Sequence, residues 1–106
     1  MVKDLIHSEF EAEVLKSEIP VLVDFWSKDC MPCKMIASLI DEMSVEFEGE
    51  LKVCKADVDT QFEFAIDFGI TAVPMLIFFR NGKEISRSVG MIGKMDLISK
   101  IEKAIA

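Results

Sequence analysis

The sequence predicts an α/β fold: a central mixed sheet of five strands, or four, with helices on both faces, closed by a C-terminal β-hairpin and a last helix. Two observations carry this expectation. Short apolar runs rich in valine, isoleucine and phenylalanine alternate with segments whose apolar residues recur at helical spacing. That alternation is the pattern of parallel strands joined by crossover helices. Late in the chain, Asn81-Gly82 stands between two strand-like runs, the strongest short-range hairpin signal, and adds antiparallel strands to the sheet. The 106 residues, 51% of them hydrophobic, fit a single domain, 1–106, able to form a core without disulfide or metal support.

Taken in order, an edge strand is expected near residues 2–6. Ser8 and Glu11 have capping-box spacing, and Val14 and Leu15 follow Phe10 by four and five residues, which reads as a short first helix. Residues 20–26, PVLVDFW, form a nearly continuous apolar run, as in a strand covered on both faces. From about 31 to 48, Met35, Ile36, Leu39, Ile40 and Met43 recur at helical spacing until Gly49, and Met35 and Met43 are expected to fill core. Residues 51–58 read as a strand. Thr60 and Glu63 mark a second capping box and open a helix with Phe62, Ala65 and Ile66 on one face. Strands at 74–80 and 83–90 flank the hairpin turn. A helix over about 94–105 turns Leu97, Ile98, Ile101 and Ile105 inward, behind the weaker cap Gly93.

Composition narrows the partners. The net charge is −7 and the 12 Lys and Arg residues form no basic stripe, which argues against nucleic acid. No apolar run approaches the roughly 20 residues of a membrane span. The charged start, MVKDLIHSEFEAEV, lacks the apolar stretch of a signal peptide, so a cytoplasmic location is expected. Thiols are kept reduced there, and a C-x-x-C pair then reads as catalytic or metal-binding before structural.

Cys30 and Cys33 are such a pair, with only Met31 and Pro32 between them. Structural zinc sites need four ligands, and only Cys54 and His7, in other elements, remain to complete one. A disulfide closing so small a loop is a poor staple. Redox chemistry fits better. Cys30 falls at a helix N-terminus, where free N–H groups and the helix dipole stabilise a thiolate. Pro32 suits the first turn. Cys33 lies nearly one turn further in and should be more buried. Cys30 is then the nucleophile that attacks a substrate disulfide, and Cys33 resolves the mixed disulfide.

The stretches VLVDFW with C-x-P-C-K, VCKADVD, GITAVPMLIFFRNGK and SVG together resemble the thioredoxin family, nearly end to end and in order. The resemblance implies the thioredoxin-like fold and a protein-disulfide reductase working through Cys30 and Cys33. No nucleotide or flavin motif is present, so no cofactor is expected. A separate enzyme of the thioredoxin-reductase kind must return the electrons. A monomer is expected. An oxidase or isomerase, a binding module with idle cysteines, and a metal-binding protein are the alternatives.

Asp24 and Lys55 each interrupt an apolar strand. They read either as charges facing solvent at a sheet edge or as a pair near the cysteines in the core. The resemblance favours the second, because family members carry a buried acid and lysine at these positions. Burial raises a carboxyl pKa and Lys55 opposes the shift, so Asp24 is the candidate general base for Cys33. Pro74 begins a strand, where its missing N–H does least harm. By resemblance it is a cis-proline facing the cysteines, with the Val73 backbone beside it pairing with an extended substrate. Trp26 is expected beneath the site, where its fluorescence reports the redox state.

The chain also departs from the family pattern. Asp29 stands where the family has tryptophan, and a negative charge beside Cys30 disfavours its thiolate. Lys28 and Lys34 offset this, and solvent screening weakens it. Met31, Met75 and Met91 occupy positions that, by resemblance, surround the exposed cysteine together with Pro32 and Gly90, and suggest an adaptable apolar substrate surface. Ser38 replaces a helix-kinking proline, so a straighter helix is expected. Cys54 reads as an inert core thiol.

Overall fold

The computed structural model describes all 106 residues. Five strands form one sheet in the order β1-β3-β2-β4-β5. β1 (Val2–Asp4), β3 (Lys52–Asp57) and β2 (Val21–Trp26) run parallel, and β4 (Met75–Arg80) and β5 (Lys83–Val89) continue the sheet antiparallel. α1 (Met31–Glu46) connects β2 to β3, α2 (Phe62–Asp67) connects β3 to β4, and the C-terminal α3 (Lys94–Ile105) follows β5. The sheet is thus mixed and five-stranded. Asn81 and Gly82 have φ of 53° and 76°, the left-handed conformation at both central positions that a tight hairpin turn demands.

Strand alternation divides the core in two. Val21, Val23 and Phe25 point to one face, against Val14, Phe64 and the half-buried Phe10 and Phe68. Phe10, Phe25, Phe64, Phe68 and Phe79 meet there in edge-on and tilted pairs. Leu22, Val53, Leu76 and Phe78 point to the other face, under Ile36, Ile40 and Met43 of α1 and Leu97, Ile101 and Ala104 of α3. Asp24 and Lys55 alternate onto this second face, below α1.

Four expectations are corrected. The Ser8–Glu11 box does not form: a single 3₁₀ turn (His7–Glu9) is capped by Glu9, whose carboxylate accepts the Ile6 N–H at 3.2 Å, and a π-helical turn follows (Glu11–Leu15), with Lys16 N–H donating to Glu11 O at 3.0 Å. The Thr60–Glu63 box does not form either, because Gln61 starts α2 and the Thr60 hydroxyl donates back to Asp57 O. On α2 the inward residues are Phe64 and Ala65, while Phe62 and Ile66 are exposed. Met35 is exposed as well, since only Ile36, Leu39, Ile40 and Met43 lie on the face of α1 that meets the sheet. α1 runs without interruption through Ser38.

Candidate active site

The site is built where β2 ends and α1 begins. Cys30 is the N-cap of α1, in extended conformation, and Cys33 lies in the first turn, so one backbone reversal sets their Cα atoms 5.2 Å apart. Their sulfurs are bonded to each other. Pro32, exposed in the first turn, needs no N–H there. The Cys33 N–H points at Cys30 Sγ, 3.1 Å away. Once the pair is reduced, the same N–H and the helix N-terminus face a Cys30 thiolate. The two sulfurs differ in access: Cys30 is half-exposed, whereas Cys33 is 4% exposed.

The peptide between Val73 and Pro74 is cis. It brings Val73 O to 3.7 Å from Cys30 Sγ, a contact rather than a hydrogen bond while the sulfur carries no proton. Pro74 precedes β4 instead of opening it. Its carbonyl accepts the Gly90 N–H at 2.8 Å, which ties the end of β5 to the loop that faces Cys30. Gly90 has φ +84°, a conformation in which a side chain is strained, and the chain turns there to present Met91. Met31 and Met91 are exposed. Met75 is not: it pairs with Phe25 and Val89 and points into the aromatic half of the core, so its side chain is no part of a surface around Cys30.

Behind Cys33 a cavity of about 140 Å³ opens under α1, lined by Asp24, Trp26, Cys33, Lys34, Asp41 and Lys55 among others. Asp24 is 5% exposed, and its Oδ1 has no hydrogen-bond partner. Burial pushes its carboxyl up to about 7, and Lys55 only partly opposes the rise. Lys55 itself is not in the core. Its side chain is 42% exposed, and the ammonium reaches Asp4 Oδ1 at 3.8 Å and lies 5.4 Å from the Trp26 ring centre. A long stem lets the charge reach water while its methylenes cover the sheet. Trp26 is half-buried beside the cavity, with its Nε1 buried and unpartnered. Asp29 is exposed next to Cys30. Cys54 is fully buried on the opposite face, and burial pushes its thiol up to about 11.

Sequence reasoning passed over Asp4 and Asp41 and read Lys34 only as a charge offsetting Asp29, not as part of the cavity. The positions 33, 37, 40 and 34, 41 lie one or two helical turns apart, which is the signal for the α1 wall of the cavity. Asp4 is two residues from Val2 in the edge strand and so shares its face.

Two sulfurs that bond across the first turn of a helix, one reachable from solvent and one buried, make a thiol–disulfide oxidoreductase. The comparisons with known proteins agree. The thioredoxin family model matches residues 1–103. The chain is 39% identical to a thioredoxin of Rickettsia conorii over 105 residues, 99% of this chain and 100% of the relative. It is 41% identical to thioredoxin 1 of a Nostoc species and 42% identical to a thioredoxin of a Synechocystis species, each over 96 residues, 91% of this chain and 90% of the relative. The chain therefore belongs to the thioredoxin family, whose members act on protein disulfides. No helix is long and apolar enough to cross a membrane.

Proposed function

We propose that the protein is a cytoplasmic, monomeric, single-domain reductase of protein disulfides, with Cys30 as nucleophile, Cys33 as resolving thiol and Asp24 as the base for Cys33. The Cys30 thiolate attacks one sulfur of a substrate disulfide and forms a mixed disulfide, and the departing thiolate takes a proton. Asp24 then accepts the Cys33 proton. The Cys33 thiolate attacks the Cys30 sulfur and expels the second substrate thiolate, which is protonated as Asp24 gives its proton back. Two electrons and two protons pass to the substrate, and a separate reductase returns the electrons. The observation that carries this reading is the unequal access of the two sulfurs together with Asp24 in the cavity behind the buried one. Val73 beside Cys30 supports pairing with an extended substrate segment, as in strand addition. Exposed Met31 and Met91, with Pro32 and Gly90, supply an adaptable apolar rim.

The discriminating experiment is insulin-disulfide reduction, with Cys30→Ser as control, alongside the reduction potential of the pair. Activity lost in Cys30→Ser and a potential near about −270 mV, the usual figure for thioredoxins, are expected. Retained activity would point to a binding module with idle cysteines, and a potential near about −120 mV to an oxidant. Asp29 is read as a tuning residue: its carboxylate opposes the charge of the Cys30 thiolate. Asp29→Ala is expected to lower the Cys30 pKa, followed by thiolate absorbance near 240 nm. An unchanged or raised pKa removes that role.

A further inference from the structure

One row of side chains crosses the sheet beneath the cysteines. Asp4 of β1 is in register with Lys55 of β3, Lys55 with Asp24 of β2, and Asp24 with Leu76 of β4. Residues in register on neighbouring strands share a face and reach one another. Lys55 therefore stands between two acids, and they compete for one ammonium. The structure shows which acid holds it. The ammonium lies 3.8 Å from Asp4 Oδ1 and over Trp26, no ion pair joins it to Asp24, and Asp24 Oδ1 is left without a partner.

We propose that Asp4 is a positioning residue for proton transfer at the buried carboxyl: it draws the Lys55 ammonium to the solvent edge and withholds it from Asp24. The physical reason is desolvation. Asp4 has a side chain 85% exposed and pairs with Lys55 while both keep their water. A contact pair with Asp24 would draw the ammonium into the cavity, where both ions lose solvation. Without a contact partner, a buried carboxyl is protonated more readily and titrates near neutral pH, where a base for a thiol is most useful. With the ammonium in contact, Asp24 would stay ionised to lower pH. The other charged or titratable groups facing Asp24 are Cys33, Lys34 and Asp41 of α1, while β4 contributes only Leu76 to the row. In the oxidised protein Cys33 does not titrate, and Lys34 and Asp41, the latter lining a second cavity with Asp4 and Lys55, are present in every variant compared.

This inference rests on Asp24 as the base for Cys33, and its test separates the two. The Asp24 carboxyl carbon is titrated by NMR in the oxidised wild type, Asp4→Asn, Asp4→Glu, Lys55→Met and the Asp4→Asn/Lys55→Met double variant. Asp4→Asn is expected to weaken proton binding at Asp24 about two- to threefold, on the order of 0.3–0.5 pH unit, the size typical of an exposed ion pair. Asp4→Glu restores the wild-type midpoint, and the effect of Asp4→Asn shrinks when Lys55 is methionine. An unmoved or raised midpoint in Asp4→Asn overturns the inference. So does an equal shift with and without Lys55, which would mean that Asp4 acts through space alone. If instead these shifts appear but Asp24→Asn leaves the pH profile of insulin reduction unchanged, Asp24 is not the base and the positioning by Asp4 stands.

Discussion

Asp24 is an acid in a place that favours its neutral form, and this leaves a mark on stability. Its carboxyl sits near 7 in the folded chain against an ordinary value of 3.8. Between those values the native state binds more protons than the unfolded state, so stability falls as pH rises. The contribution is fully present below about pH 4 and lost by the time pH passes 7. About three pH units correspond to at most ~4 kcal/mol. Denaturant unfolding of the oxidised protein is expected to show this decline, and Asp24→Asn to flatten it and to be the more stable form at pH 8. An equal slope in both proteins would mean that Asp24 titrates normally. Cys54 gives a simpler expectation. Buried on the aromatic face, with its thiol pushed to about 11, it is expected to resist alkylation until the protein unfolds. Cys54→Ala is expected to leave disulfide reduction unchanged and to cost about 1–2 kcal/mol. Rapid native-state labelling would contradict this. The cysteines and Asp24 were legible in the sequence because their chemistry conflicts with their surroundings. The placement of Lys55 beside Asp24 was legible for the same reason, but the outward course of its ammonium was not, because it turns on Asp4, a residue remote in the chain and adjacent only across β1 and β3. The methionines misled in both directions, with Met35 exposed and Met75 buried, because methionine suits a core and a surface alike.

Among the elements, the strands and the two long helices follow their patterns closely, and the short helical pieces do not. A period of 3.6 needs several turns to declare itself, and α2 has only six residues. Phe62 and Ile66 look inward by spacing, yet Phe64 fills the core because it meets Phe10, Phe25 and Phe68. Phe64→Ala is accordingly expected to cost about 3–5 kcal/mol, whereas Phe62→Ala stays within about 0.5 kcal/mol. Urea unfolding reads both, and comparable losses would mean that α2 is rotated from its place here. Both capping boxes failed for a related reason. The spacing requires only two residues, and nearby acceptors took their roles: Glu9 for the Ile6 N–H, and Asp57 O for the Thr60 hydroxyl. The hairpin was legible to the residue because a turn with positive φ at both centres accepts few sequences besides Asn-Gly.

At the scale of the whole molecule, the sheet gathers the chemistry from four distant stretches. β2 delivers Asp24 and leads into Cys30, α1 carries Cys33, the loop before β4 brings Val73 and Pro74, and β1 with β3 sets the charges behind them. The order of elements was readable from alternation, the short edge strand included, and the pairing of β1 with β3 makes it the fifth strand of the sheet. This assembly leaves one sulfur facing solvent and its partner facing a cavity, and the unequal roles proposed for the two rest on that difference. The most direct test is to trap the mixed disulfide. Reduced Cys33→Ser mixed with insulin is expected to accumulate a covalent adduct at Cys30, cleaved by dithiothreitol, while reduced Cys30→Ser accumulates little. An adduct forming at Cys33 in Cys30→Ser as fast as at Cys30 in Cys33→Ser would contradict the assignment of nucleophile and resolving thiol.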